Sequence, residues 1–242
     1  MSLIAVLTLC LGASTASASI IVSDDFQSDT VGSPPAGAWT TAFLDPSTFL
    51  PIAGATENVA LDVGTNQVLQ LLDNSSTSGY ISAKWEPFGP FGSQTLGAEQ
   101  WQLKVNTNAG GTPMYIGNQN GIGPYFLLVG NQLSVGSGAY TTTLTTGQWY
   151  TLTVYSPNAF TGANLPVDYY IDSALVDSTN NFSPNGYNPT FQIFSFPAIT
   201  QADIMVDNVK FGESLADVGV PEPASMSLLV IGGTMLLKRG RR

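Results

Sequence analysis

The chain has 242 residues and a formal net charge of −10 at pH 7, which argues against nucleic acid or an anionic membrane surface as a partner. It contains no histidine and one cysteine, Cys10, so zinc sites built from these residues, histidine-assisted nucleophilic catalysis and disulfides within the chain are excluded. Residues 19–219 hold three lysines and sixteen acids, a net charge of −13, and are numerous enough to bury one sizeable core.

The N-terminal segment has the features of an export signal. Residues 3–11 form an apolar run, and Ala16-Ser17-Ala18 supplies small side chains at both positions that a signal peptidase recognises. No lysine or arginine precedes the run, so either the signal is atypical or the true start lies upstream. The sequence predicts a signal peptide with an apolar signal helix over residues 1–18, and a mature chain that begins at Ser19.

Residues 19–212 are typical of a domain built from β-strands. Short segments rich in Val, Ile, Thr and aromatic residues alternate with Gly, Asn, Pro and Ser, and no window shows a long helical period. Gly64-Thr65-Asn66, Gly130-Asn131 and Asp172-Ser173 have the composition of tight hairpin turns. Many short antiparallel strands in one domain predict a two-sheet sandwich or a barrel. The predicted strands are 20–26, 39–44, 58–63, 68–72, 80–85, 100–106, 113–117, 125–129, 149–155, 167–171, 190–196 and 203–211.

Three parts of this domain resemble the concanavalin-like, or laminin-G-like, jelly rolls. Ser23-Asp24-Asp25-Phe26, followed by Ala38-Trp39, is similar to their opening strand. Residues 147–154 and 168–176 are similar to their central strand and the next hairpin, and residues 203–211 are similar to their closing strand. The resemblance implies an all-β, two-sheet antiparallel sandwich of jelly-roll type whose first and last strands pair. It leaves the function open, because one fold serves many functions.

Three aspartates belong to the two strands that this resemblance pairs. Asp24 and Asp25 lie in the opening strand, and Asp207 lies in the closing strand. Carboxylates that come close together need a cation, and calcium accepts flexible sets of carboxylate and carbonyl oxygens. We therefore expect a structural calcium ion at these three residues and no other cofactor. The alternative is that all three are solvated surface acids.

Aromatic side chains near turns are the candidates for binding carbohydrate, because the C–H faces of sugars pack on rings. The candidate rings lie in or beside segments rich in Gly, Pro and Asn. They are Trp85, Phe88, Phe91, Tyr115 and Tyr187. The alternative is that these rings anchor loops within the core. Trp39, Trp101 and Trp149 lie within apolar alternation and are predicted to be core residues.

A carboxylate-dependent glycoside hydrolase is the enzymatic alternative. Glycosidases need two carboxyl groups about 5–10 Å apart. The β-glucanases of the resembled fold carry Glu-x-Asp-x-x-Glu on one strand, and this chain has no such motif. Asp203 and Asp207 share a face of one predicted strand, and Glu86 and Glu99 flank the aromatic loop. We assign no catalytic residue and expect no enzymatic activity.

The C-terminal tail, residues 220–242, has three parts and follows a predicted linker over residues 213–219. Val220-Pro221-Glu222-Pro223 interrupts regular structure, because proline removes a backbone donor and restricts the residue before it. Residues 224–237 carry no charge and predict a short apolar helix, which spans roughly 21 Å and falls short of a hydrocarbon core of about 30 Å. Four of the last five residues are basic, which predicts that the body lies on the opposite, non-cytoplasmic side of the membrane.

This tail resembles the PEP-CTERM sorting signal of exopolysaccharide-producing Gram-negative bacteria. The resemblance rests on the apolar helix together with Val220, Pro221, Glu222, Pro223, Arg239, Arg241 and Arg242. It implies an exosortase-like membrane protease as a partner, transient anchoring in the inner membrane through residues 224–237, and a final position at the cell surface or in the extracellular matrix. We therefore predict an exported protein whose non-catalytic β-sandwich contacts exopolysaccharide. The alternatives are a glycoside hydrolase of concanavalin-like fold and a structural coat or adhesion protein.

Overall fold

The computed structural model describes residues 20–45, 48, 50–75, 79–87, 97–109, 113–118, 124–135, 140–156, 165–182, 190–195 and 201–221. The predicted signal peptide, the apolar C-terminal helix and the basic end of the tail lie outside these residues. Three of the candidate aromatic residues, Phe88, Phe91 and Tyr187, also lie outside them.

Fifteen β-strands make up almost all of the regular structure within the described residues. They are β1 (Ile20–Asp24), β2 (Trp39–Leu44), β3 (Ala55–Leu61), β4 (Gln67–Asp73), β5 (Tyr80–Trp85), β6 (Ala98–Asn108), β7 (Met114–Asn118), β8 (Tyr125–Val129), β9 (Gln132–Val135), β10 (Thr141–Thr143), β11 (Trp149–Tyr155), β12 (Leu165–Ile171), β13 (Ala174–Phe182), β14 (Phe191–Ser195) and β15 (Ala202–Gly212). One 3-10 helix, Ala216–Val218, follows them. In this part of the chain no helix is both long and apolar enough to cross a membrane.

The strands form two antiparallel sheets. The eight-stranded sheet has the order β13-β12-β11-β6-β15-β4-β3, with β1 paired to the end of β15. The seven-stranded sheet has the order β10-β9-β8-β7-β14-β5-β2. This arrangement confirms the predicted two-sheet antiparallel sandwich. The expected pairing of the first and last strands is also present, since Asp24 lies opposite Val209.

The predicted hairpin turns connect neighbouring strands in the structure. Gly64-Thr65-Asn66 lies between β3 and β4, Gly130-Asn131 between β8 and β9, and Asp172-Ser173 between β12 and β13. Asp172 and Ser173 both have positive φ, 49° and 66°, as a two-residue turn of the primed type requires. Local composition therefore located these three turns correctly.

The core between the sheets contains a series of contacting aromatic rings. Trp85 stacks on Trp39 of the neighbouring strand at a centroid distance of 5.9 Å, and on Phe211 of the opposite sheet at 5.5 Å. Trp101 of the eight-stranded sheet is fully buried and contacts Phe191 of the seven-stranded sheet at 5.2 Å. Because large rings bury much apolar surface, these contacts across the sheets hold the sandwich closed.

The segment predicted as a linker, 213–219, packs against the sandwich instead of leading away from it. Leu215, Val218 and Val220 are almost fully buried in a small apolar cluster with Ala98 and Tyr170. The 3-10 helix within the segment brings these apolar side chains onto the outer face of the eight-stranded sheet. This packing includes Val220, the first residue of the predicted sorting motif.

Candidate functional site

The outer face of the seven-stranded sheet is formed by the side chains that alternate with core residues. In β5, Tyr80, Ser82 and Lys84 are half-buried, and the residues between them are buried in the core. The same alternation turns Tyr125 of β8 outward, next to the buried Phe126. Since successive side chains of a strand point to opposite faces, these outward residues share one surface.

Four aromatic residues on adjacent strands form what we call the aromatic band: Tyr125 of β8, Tyr115 of β7, Phe194 of β14 and Tyr80 of β5. Tyr115 lies directly opposite Phe194 in the strand register. The Tyr115 and Tyr125 rings meet edge to face with centroids 5.0 Å apart, and the Tyr80 and Phe194 rings stack with centroids 6.1 Å apart. All four side chains are half-buried, so the band presents ring surface on a fixed β-sheet.

Neutral polar groups lie beside the aromatic band. The Gln192 Nε2 donates a hydrogen bond to Ser82 Oγ at 3.3 Å, and Gln192 Oε1 is buried and has no partner among the described residues. Lys84, the register partner of Gln192, forms an ion pair with Glu86 at 2.7 Å. The positive charge of Lys84 next to the band is therefore neutralised by Glu86.

Tyr125 of the aromatic band stays neutral near pH 7. Burial raises the pKa of Tyr125 above its usual value, and the nearby Tyr115 raises it further. A neutral phenol can both donate and accept a hydrogen bond, which suits a ligand rich in hydroxyl groups.

The structure corrects the roles predicted for two tryptophans. Trp85 was expected to present its ring to carbohydrate, but it is only 4% exposed and its ring packs between Trp39 and Phe211. Trp149 was expected in the core, but it is half-buried on the outer face of the eight-stranded sheet, with the Lys104 ammonium 5.2 Å from its ring centroid. Trp85 therefore has no open ring face, whereas the predicted Tyr115 lies within the aromatic band.

The sequence predictions missed three members of the aromatic band: Tyr80, Tyr125 and Phe194. The signal that could have identified Tyr80 is the alternation in β5, where the residues 81, 83 and 85 are apolar and 82 and 84 are polar. That pattern puts Tyr80 on the polar side of the strand. Grouping it with Tyr115 also needed the strand order of the sheet.

The three aspartates predicted to bind calcium do lie in one region. Asp24 Oδ1 accepts from the Phe26 N–H at 2.9 Å, and Asp24 Oδ2 accepts from Trp39 Nε1 at 2.8 Å. Asp207 is 3% exposed and accepts from Asn66 Nδ2 at 3.2 Å. Burial raises the pKa of Asp207, and the nearby Asp25 and Asp24 carboxylates raise it further.

This region does not form a metal site from side chains alone. In the described part of the chain, no group of three or more His, Cys, Asp or Glu residues is arranged to hold a metal ion. The structural calcium ion stays a prediction, and it would have to draw on backbone or amide oxygens in addition to the carboxylates.

The acids considered for hydrolysis have hydrogen-bonded or ion-paired neighbours. Asp203 accepts from Gln70 Nε2 at 2.8 Å and from Asn106 Nδ2 at 3.1 Å. Asp203 belongs to the eight-stranded sheet, whereas Glu86 follows β5 of the seven-stranded sheet and pairs with Lys84. These two acids therefore do not face each other across the aromatic band.

A buried carboxyl group joins the two sheets at one edge of the sandwich. Glu57 lies in β3, the outermost strand of the eight-stranded sheet, and it accepts hydrogen bonds from the Thr41 hydroxyl and the Ala42 N–H of β2, the outermost strand of the other sheet. The side chain is 9% exposed, and burial raises its pKa to about 7. Near neutral pH this group therefore exists partly as a carboxylic acid.

Comparisons with known proteins identify the fold. No protein-family model matches the chain, and no curated protein matches its sequence significantly, so they lend no support to the sorting-tail resemblance. A carbohydrate esterase of the Shiga toxin-encoding bacteriophage phi24B matches with 14% identity and a TM-score of 0.51, over 81% of this chain and 99% of that one.

Two further solved structures match more weakly. They are the receptor-binding domain of botulinum neurotoxin type G (11% identity, TM-score 0.46, 83% of this chain and 50% of that one) and the carbohydrate recognition domain of Emp46p (11% identity, TM-score 0.42, 68% and 90%). At such low sequence identity, a structural match is evidence of the fold alone. With its two antiparallel sheets, the chain is a two-sheet β-sandwich of the same general fold as the phage protein.

Proposed function

We propose that this protein is a non-catalytic, carbohydrate-binding β-sandwich whose binding surface is the outer face of the seven-stranded sheet. The observation that carries the proposal is the aromatic band, because ring faces held on a sheet can pack against the C–H faces of sugars. The tyrosine hydroxyls of these rings can donate hydrogen bonds to sugar hydroxyl groups and accept hydrogen bonds from them. The phage protein of the same fold is a carbohydrate esterase, which agrees with a carbohydrate ligand but assigns no site in this chain.

The charge of the protein favours a neutral or weakly charged glycan. Residues 19–219 carry a net charge of −13, so an anionic polysaccharide would meet general repulsion. The one lysine near the aromatic band, among the described residues, is already paired with Glu86. A neutral glycan needs no counter-charge and uses the ring faces and phenol groups that this surface offers.

We further propose that the protein is exported and acts at the cell surface or in the extracellular matrix. The sequence supports this with the predicted signal peptide, the Val220-Pro221-Glu222-Pro223 motif and the basic C-terminus, for which an exosortase-like protease is the expected partner. Intact-mass measurement of the protein secreted by its native host should show a chain that begins near Ser19 and lacks residues 238–242. A secreted chain that retains the C-terminal arginines would contradict the sorting proposal.

The binding proposal is tested with the full-length chain on insoluble neutral polysaccharides: cellulose, curdlan and mannan. We expect retention on at least one of them, a loss of about 3- to 10-fold in affinity for Tyr115→Ala, and little change in melting temperature. Gln132→Ala is the matched control, because Gln132 is exposed on the same sheet but lies away from the aromatic band.

Two results would contradict the proposal. Absence of retention on all three polysaccharides would remove carbohydrate binding and favour a structural coat or adhesion protein. Release of reducing ends by the wild-type chain would favour the glycoside hydrolase instead.

A further inference from the structure

The four rings of the aromatic band lie along a diagonal of the sheet. Tyr125 is opposite Gly117, two residues along β7 from Tyr115. Tyr115 is opposite Phe194, and Phe194 is in turn opposite Ser82 of β5, two residues from Tyr80. Along the strand axis, Tyr115 and Phe194 therefore lie at the same height. Tyr125 lies two residues to one side of them, and Tyr80 lies two residues to the other side.

The length of this diagonal follows from sheet geometry. The path from Tyr125 to Tyr80 crosses three strand spacings and four residue positions, which at about 4.8 Å and 3.4 Å each gives about 20 Å. This distance is longer than a single sugar ring or a disaccharide. A ligand that contacts all four rings must therefore be an extended chain.

The phenol groups of the band indicate the chemistry of that chain. Three of its four rings, Tyr80, Tyr115 and Tyr125, are half-buried and carry a hydroxyl group that can donate and accept hydrogen bonds. A ligand with many hydroxyl groups offers hydrogen-bond partners to such groups along with C–H faces for the rings. Gln192, two residues from Phe194 on β14, is only 6% exposed and its Oε1 is buried, so this amide oxygen is not offered to a ligand.

We infer that the aromatic band binds an extended neutral glycan laid diagonally across β8, β7, β14 and β5, with Tyr125 and Tyr80 contacting its two ends. The inference rests on the proposed carbohydrate-binding function and adds the class of ligand and its direction. It also makes chain length a determinant of affinity, because short oligosaccharides reach only one pair of rings.

The test measures binding of the full-length chain to cellobiose and cellohexaose, laminaribiose and laminarihexaose, and mannobiose and mannohexaose by titration calorimetry. We expect at least one hexaose to bind ten-fold or more tightly than its biose. Tyr80→Ala and Tyr125→Ala should each lower the affinity for that hexaose by about 3- to 10-fold. Each should also reduce the ratio of the hexaose affinity to the biose affinity. Tyr80→Phe keeps the ring and loses only the hydroxyl group, so it should bind the hexaose more tightly than Tyr80→Ala does, and Gln132→Ala should behave as wild type.

The outcomes separate the two claims. The diagonal path is overturned if no hexaose binds more tightly than its biose. It is also overturned if both alanine variants, with wild-type melting temperatures, bind the hexaose as tightly as the wild type. Either result leaves carbohydrate binding in place. Absence of binding to every oligosaccharide and to the insoluble polysaccharides overturns the proposed function itself. A concentration-dependent dimer that Tyr115→Ala dissociates would identify a second copy of the chain as the occupant and overturn the inference. Should Tyr125→Ala fail to fold, Tyr80→Ala and Tyr80→Phe still decide the question.

Discussion

Replacing Glu57 by glutamine should change how the stability of the sandwich depends on pH. Burial between the sheet edges raises the pKa of Glu57 from 4.5 to about 7. Between these values the folded state holds the proton and the unfolded chain releases it, so the wild type loses stability as pH rises. At about 1.36 kcal/mol per pKa unit, the shift corresponds to a loss of about 3 kcal/mol between pH 4.5 and pH 7.

The variant removes this loss while keeping the shape of the side chain. Its amide oxygen can accept from the Thr41 hydroxyl and the Ala42 N–H, as the carboxyl group does in the wild type. Glu57→Gln should therefore match the wild type near pH 4 and exceed it by about 3 kcal/mol at pH 8. The measurement is the free energy of unfolding from urea titrations at a series of pH values, followed by fluorescence of the buried tryptophans.

The control for this experiment is Glu86→Gln, which removes the same charge from an ion pair at the surface. Asp207 also has a raised pKa and contributes a loss of the same sign, but it is present in all three proteins and cancels in the difference. If the wild type and Glu57→Gln lose stability in parallel between pH 4.5 and pH 8, the bridging role of Glu57 is refuted.

Two further predictions concern stability. Calcium should raise the melting temperature of the wild type and EDTA should lower it, whereas the melting temperature of Asp207→Asn should respond to neither. A wild-type melting curve that is insensitive to EDTA would leave Asp24, Asp25 and Asp207 as ordinary acids. Leu215→Ala should lower the free energy of unfolding by about 2–4 kcal/mol in urea, because it leaves a cavity between the C-terminal segment and the eight-stranded sheet. Leu61→Ala, at a side chain that is 51% exposed, should cost little, and equal effects at the two sites would contradict the packing of this segment.

The order of the strands along the chain was largely predictable from the sequence. The predicted limits of β2, β5, β8 and β11 agree with the structure, because these strands combine β-branched or aromatic residues with clear flanking turns. The edge strand β13 was missed. Its segment Asp177-Ser178-Thr179-Asn180-Asn181 is polar, and an edge strand needs little apolar surface to pair on one side.

The candidate site was harder to predict, because alternation shows which residues share a face but not which face is inside. In β11 the even-numbered residues Leu152 and Val154 are buried, so the odd-numbered Trp149 lies on the outer face. In β5 the odd-numbered residues are the buried ones, and Trp85 is one of them. Assembly of the aromatic band also needs the order β8-β7-β14-β5, and these strands are distant in the sequence. No local pattern could have supplied that order.

The position of β15 has a consequence for when the protein can fold. β15, the last strand among the described residues, lies inside the eight-stranded sheet between β6 and β4, and its end also pairs with β1, so Ile20 lies opposite Gly212. The sheet therefore cannot close until the chain has been synthesised as far as residue 212. Pairings between such distant residues make folding slow. Until β15 pairs with β6 and β4, the two parts of this sheet remain separate, and the polypeptide is available to any factor that binds an unfolded chain.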